Sequence, residues 1–459
     1  MKQTLTLLFS CLLLASKLQA QCWQSLAASA FHTNAIKADG TLWGWGRNTF
    51  GQLGDGTTDD KLSPTQIGTD HNWKSVQAGD FFAIALKTDG TLWAWGQNNA
   101  GQLGIGNLID QKSPVQIGID TDWETASAGG FFSMALKTNG TLWTWGYNFY
   151  GQLGDGTNIN KKSPVQIGTG HNWKTISAGW AHAMALQADS SLWTWGFNDS
   201  GQLGNGTLSN QYSPQQIGFE KNWSQLAAGG FHSMALKKNG TLHTWGDNEY
   251  GALGDGTTVS TSAPLQMGID TDWYFIDAGS EYSLALKTNG TLFTWGGNYY
   301  GQLGDGTTVQ KNSPTQIGTD QDWTTLTSCY DYHTFIVKTD GSLWACGRNH
   351  KGQLGNGTTV NQSNFTQIAC PTVAVFAPTQ PLPFEILPNP ASEQIRLQWT
   401  DEHWSDVQFE ISNMLGQTIF SKQPLPFSDQ IGVESLPKGV YLLHLFHAEG
   451  QVTRAFVKI

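Results

Sequence analysis

The chain has little charge, no long apolar run after its first residues, and nothing with the periodicity of a helix. Only 13% of its 459 residues are charged, and acids outnumber bases 36 to 25, for a formal net charge of −11. So few cations argue against nucleic acid, whose phosphates demand a concentrated basic face. The same acidity disfavours an anionic membrane surface. No stretch beyond the N-terminus is apolar enough to cross a bilayer, so no membrane insertion is expected. No glycine-rich phosphate loop opens a helix.

The N-terminus begins with Lys2, runs through an apolar stretch from Leu5 to Ala15 and reaches a small residue at Ala20. That pattern predicts a secretory signal peptide over residues 1–20. A lipoprotein anchor on Cys22 is the competing reading, but Gln21 before it lacks the small side chain expected there. The mature chain is then expected outside the cytoplasm.

What the chain has in excess is glycine, 54 residues, and tryptophan, 21. A Trp-Gly motif recurs as "TLWGWG" at 41–46, "TLWAWG" at 91–96, "TLWTWG" at 141–146, "SLWTWG" at 191–196, "TLHTWG" at 241–246, "TLFTWG" at 291–296 and "SLWACG" at 342–347. The period is fifty residues until one extra residue enters near Cys329. Each unit opens with a tryptophan, from Trp23 to Trp323, and these slots hold all but Trp180, Trp399 and Trp404. Tryptophan is therefore structural first. Within a unit, runs such as "WKSVQAG", "FFAIALKT" and "TLWAWG" alternate as strands do. Asp-Gly or Asn-Gly between the last two marks a tight hairpin, and "SPVQIG" suggests a fourth strand beginning at its proline. The Asn-Gly-Thr triplets coincide with hairpin turns, so we read them as turn chemistry, not as glycosylation sites. Four strands in each of seven units fit an all-β radial array, a seven-bladed β-propeller.

The unit "AGxxxSxALKTDGTLWxWGxNxxGQLGDGT" resembles the repeat of the regulator of chromosome condensation family, which implies that fold for residues 22–370. The eponymous member is a nuclear nucleotide-exchange factor, and a secreted acidic chain has no access to its partners. After Cys370 a proline-rich linker is expected at 371–384, then a small immunoglobulin-like β-sandwich at 385–459. This segment resembles the type A C-terminal sorting domain of the type IX secretion system. The resemblance rests on Pro388-Asn389-Pro390, Ile411, Asn413, Leu415-Gly416-Gln417, Leu436, Gly439-Val440-Tyr441 and Lys458-Ile459. It implies Sec export, passage through the outer membrane by the type IX machinery, and release or attachment at the cell surface.

No catalytic constellation emerges. Asp55, Asp155, Asp255 and Asp305 share one slot, but one blade apart they cannot form an acid–base pair. "DGTTDD" at 55–60 lacks the ligand spacing of a calcium loop. His32, His182, His232 and His333 alternate in their slot with Phe82, Phe132 and Tyr282, which suits packing better than metal. No cofactor and no metal are expected. In a four-stranded meander the loops after strands one and three share a face. The first carries Phe31, Phe81, Phe131, Trp180, Phe231, Glu281 and Tyr332; the second carries Phe50, Phe149, Tyr150, Tyr250, Tyr299 and Tyr300. An aromatic crown of this kind suits a protein interface, the competing role being packing between blades. The expected function is a non-catalytic, monomeric binding module for an unknown protein. The alternatives are a lectin or propeller enzyme and, remotely, nucleotide exchange.

Cysteines complete the reading. Cys22 and Cys370 fall in slots three residues apart in an internal unit, so ring closure brings them within bridging distance. By elimination Cys329 pairs with Cys346, with free buried thiols as the alternative.

Overall fold

The computed structural model describes residues 22–328, 332–371, 384–399, 407–413, 418–426, 428–447 and 450–459. The chain divides into two compact units at Cys370/Pro371. In the first, blade 1 comprises β1 (Trp23–Ala28), β2 (His32–Lys37), β3 (Leu42–Gly46) and β4 (Lys61–Ile67), antiparallel and in chain order. Six more sheets repeat this arrangement, opening at Trp73, Trp123, Trp173, Trp223, Trp273 and Trp323. Every sheet draws its four strands from one repeat, so repeat and blade boundaries coincide. The fourth strand begins earlier than its proline suggests: Pro64 lies in the middle of β4. That strand is the outer edge of its sheet, where a residue without an N–H costs no ladder bond on the open side.

In blade 2 the hairpin between the second and third strands needs its glycine twice over. Gly90 has φ +80°, and a Cβ there would fall 2.0 Å from the Thr121 carbonyl oxygen of the next blade. Both the left-handed backbone and the close approach exclude a side chain.

Alternation along the third strand builds the junctions between blades. Trp93 and Trp95 face blade 1, packing with Leu42 and Ile67. Leu92 and Ala94 face blade 3, packing with Trp123 and Trp145. Trp45, Trp95, Trp145, Trp195, Trp245 and Trp295 are all fully buried. Each indole Nε1 donates to a backbone carbonyl of the preceding blade; Trp95 reaches Gln52 at 2.9 Å and Trp145 reaches Gln102 at 3.0 Å. The series closes where the chain does not: Trp45 Nε1 donates to the carbonyl of Gln353 in blade 7 at 2.9 Å. At the same seam Cys22 and Cys370 form a disulfide with their Cα atoms 6.0 Å apart.

Blade 7 breaks the tryptophan series, and here the expected second bridge is corrected. Cys346 is a free, buried thiol, not a partner of Cys329, which lies outside the described residues. Its Sγ donates to the Gln302 carbonyl at 3.4 Å, the bond that tryptophan makes elsewhere. The missing ring is supplied by Phe365, which occupies the proline slot of the fourth strand. It packs at a tilt against Trp323, centroids 5.8 Å apart, and covers Gly304, the position Trp95 covers at Gly54.

The second unit is a two-sheet sandwich. Phe384–Leu387, Gln394–Trp399 and Gln430–Gly432 form one sheet; Thr418–Pro424, Gln408–Asn413, Gly439–His447 and Gly450–Lys458 form the other. Phe384, the residue before the expected start of this domain, is fully buried in its core. The sorting-motif residues tie its two ends together. Asn389 Oδ1 accepts from Val457 N at 2.9 Å, Pro388 and Pro390 flank that contact, and Gly439 pairs with Lys458. Tyr441 stacks on Phe456 and donates to the Pro437 carbonyl at 2.9 Å. Gly416 lies outside the described residues.

Candidate binding face of the propeller

The axis of the ring is narrow. First strands line it, six of them ending in alanine (Ala28 to Ala278), and with Gln77, Ser127, Ser177, Gln225 and Asp277 they enclose a cavity of about 250 Å³. At one mouth of this channel, backbone bonds run from blade to blade: Asp80 N to the Gly130 carbonyl, and Gly130 N to the Trp180 carbonyl, both 3.1 Å. Trp180 lies across this mouth. Its Nε1 donates to Asp80 Oδ2 at 3.2 Å, two blades away, passing over Gly130, where a Cβ would meet the indole at 2.7 Å.

Around the same mouth the aromatic loop residues pack against one another. Phe31 stacks on Phe81 at 5.8 Å, Phe81 meets Phe50 at 5.4 Å, and Phe131 continues the row at 6.3 Å. Trp180 meets Phe231 at 5.5 Å, Tyr250 meets Tyr299 at 5.5 Å, and Tyr300 meets Tyr332 at 5.2 Å. Most of these rings are half-buried, whereas Phe149 and Tyr299 are 59% and 55% exposed. Tyr150 packs on Phe197 at 4.6 Å, and Tyr147 stacks on Phe149. Tyr147 and Phe197 belong to the crown although their slot, directly after the Trp-Gly motif, reads in sequence as a strand end.

The face is also charged unevenly. The propeller has two arginines, Arg47 and Arg348, and both stack on Phe31, at 5.2 and 4.9 Å from its centroid. Arg47 also lies 5.5 Å from Phe81, and Arg348 5.0 Å from Tyr300, so cations and rings alternate. Arg348 Nε donates to His350 Nδ1 at 2.9 Å. Burial, with Arg348, Lys351 and Arg47 nearby, holds His350 below its ordinary pKa. Across the ring the corresponding slots hold Asp247, Glu249 and Glu281 beside Tyr250 and Tyr299. Hydrogen bonding with Tyr299, then the charges of Glu249 and Glu281, push the Tyr250 phenol up to about 12.

The slot histidines lie inside the blades. His182 and His232 are fully buried, with Nε2 at 2.9 and 2.8 Å from the hydroxyls of Ser233 and Ser283. Desolvation lowers them to about 3 and about 4. Among the described residues no group of three His, Cys, Asp or Glu side chains is placed to hold a metal.

A closed ring of seven Trp-Gly blades followed by a sorting sandwich defines a secreted β-propeller. Residues 110–380 match the RCC1-like domain, and the chain belongs to that family. Residues 39–86, and in a second form 23–52 and 73–102, match the regulator of chromosome condensation (RCC1) repeat. Residues 385–459 match the secretion system C-terminal sorting domain, which indicates type IX secretion to the cell surface or the medium. Among solved structures, human WBSCR16 is 25% identical with a TM-score of 0.61, covering 68% of this chain and 85% of that one. Prp20p from Saccharomyces cerevisiae, described with its binding to Gsp1p and histones, is 24% identical with a TM-score of 0.61. That match covers 69% of this chain and 83% of Prp20p, and at such identity it shows the fold alone. The ultraviolet-B receptor UVR8 of Arabidopsis thaliana is 53% identical over 36 residues, 8% of either chain.

Proposed function

We propose that this secreted propeller is a binding module that engages a protein partner through the aromatic crown, without catalysis of its own. One observation carries the reading: rings of differing type gather in packed, partly exposed clusters on a single face, the one around Phe31 joined by two stacked arginines. Tyr, Trp, Phe and Arg are the residues that dominate the energetic centres of protein interfaces. The slots that build the scaffold repeat almost unchanged, whereas the crown slots differ from blade to blade, as recognition requires and stacking of like blades does not. Nucleotide exchange, by family analogy, gains no support from likeness of fold.

The test is capture of surface or medium proteins by proximity labelling on intact cells, comparing the parent with Trp180→Ala/Phe131→Ala. The expected result is loss of a specific partner from the variant, with binding weakened by several kcal/mol if these are hot spots. Labelling that is indifferent to the substitutions, in a variant of unchanged melting temperature, overturns the reading.

A further inference from the structure

On the face opposite the crown, a lysine lies over at least one tryptophan in six blades, and in blade 4 it does not. In blades 2, 3, 6 and 7 a lysine Nζ from the end of the second strand sits 4.2–5.5 Å from two ring centroids. Lys87 over Trp73 and Trp93 is one case, and Lys137 over Trp123 and Trp143 another. In blades 1 and 5, Lys37 and Lys237 each cover one tryptophan. From blade 2 onward an acid in the loop before the first strand clamps the lysine, as Asp70 does at 2.6 Å, Asp120 at 2.8 Å and Glu220 at 2.7 Å.

Blade 4 (Trp173–Ala178, His182–Gln187, Leu192–Gly196 and Gln211–Gln216) has Gln187 in the lysine slot and Gly170 in the acid slot. Both halves of the clamp are replaced together. Asn172 Nδ2 donates instead to Gln187 Oε1 at 3.1 Å. Trp173 is half-buried, whereas its six counterparts are 2–7% exposed. The junction of blades 3 and 4 consequently opens into a cleft of about 700 Å³, against about 310 Å³ at the junction before it.

The lining has a definite chemistry. Trp173 and Trp193 meet at 80° with centroids 5.9 Å apart, forming a corner of two indoles. Gln187, Asn172 and Gln166 supply neutral donors and acceptors at its rim. Asp155 and Lys161 pair at 3.1 Å, so the charges present cancel each other. An aromatic floor with amide groups around it and no net charge suits a ligand with one apolar face and many hydroxyls. We propose that the blade 3–blade 4 cleft binds a neutral saccharide. The C–H face of a pyranose stacks in the indole corner, and its hydroxyls exchange hydrogen bonds with Gln187, Asn172 and Gln166.

The rebuilt clamp, Gly170→Asp/Gln187→Lys, restores the residues that neighbouring blades carry, so it keeps the fold while refilling the cleft. The full chain is applied to an array of neutral glycans and of sulfated or uronate-bearing glycans, and hits are titrated by tryptophan fluorescence. The expected result is a neutral glycan that binds the parent and binds both the rebuilt-clamp variant and Trp193→Ala at least about tenfold more weakly. Absence of any neutral hit, binding confined to charged glycans, or neutral binding that survives the rebuilt clamp overturns the proposal.

Discussion

Trp45 and Gln353 stand 308 residues apart in the chain, yet the indole of one donates to the carbonyl of the other at 2.9 Å. The same bond, Trp95 to Gln52, holds blades joined by continuous chain. The seam thus has the packing of every other junction, and the Cys22–Cys370 bridge supplies the covalent link it would otherwise lack. Closing so long a loop restricts the unfolded chain strongly. Cys22→Ser/Cys370→Ser is expected to cost about 2–4 kcal/mol and to lower the calorimetric melting temperature while leaving the β-sheet spectrum intact. An unchanged melting temperature would show that tryptophan packing alone secures the seam.

In blade 7 a cysteine and a phenylalanine fill the space given elsewhere to tryptophan and proline. Cys346→Trp alone overfills that junction and is expected to destabilise by about 1–3 kcal/mol. Phe365→Pro alone empties it, at a cost of about 3 kcal/mol or more. Made together they recreate the blade 2 arrangement, so their sum should exceed the double variant's loss by at least about 1 kcal/mol. Denaturant titration of the four proteins measures this coupling, and simple additivity would refute the exchange.

His32, His182 and His333 are held at about 3, and His232 at about 4, by desolvation in the blade interior. The unfolded chain binds more protons than the folded one from about pH 6.5 down to those values. Stability therefore rises with pH across that window and is lost as pH falls through it. Melting temperature is expected to drop steadily below about pH 6.5. His182→Phe/His232→Phe, which installs the residue found at Phe82 and Phe132, should flatten the slope; an unaltered slope assigns the acid sensitivity to other groups.

Phe384 is part of the sandwich core, so the sorting domain is removed cleanly only by deleting residues 384–459. The truncated chain is expected to be retained in the periplasm with its seam disulfide formed. Surface biotinylation before and after truncation reads this directly, and equal labelling would contradict type IX dependence.

The ring was legible because fifty-residue periodicity repeats the same alternation, hairpin glycine and tryptophan seven times. Even the seam bridge followed from slot positions. Cys346 was misassigned because elimination among cysteines takes no account of the direction of a side chain: its strand position aims it at Gln302, into a space that Phe365 shares. The crown's loop slots were readable, but Trp180 reaching Asp80 was not, since that contact spans two blades and depends on the missing Cβ of Gly130. Gln187 and Gly170 were visible as letters. Their meaning needed the knowledge that lysine and acid cover the tryptophans of the neighbouring blades.

No strand passes between the first and seventh sheets, and the ends of the ring lie 6.0 Å apart at Cys22 and Cys370. As a closed object the propeller therefore has no intrinsic beginning. Termini could be moved to any of the six links between blades, and the present ones joined by a short peptide, without cutting a sheet. Where the chain enters this circle is a matter of genetic order and export rather than of architecture.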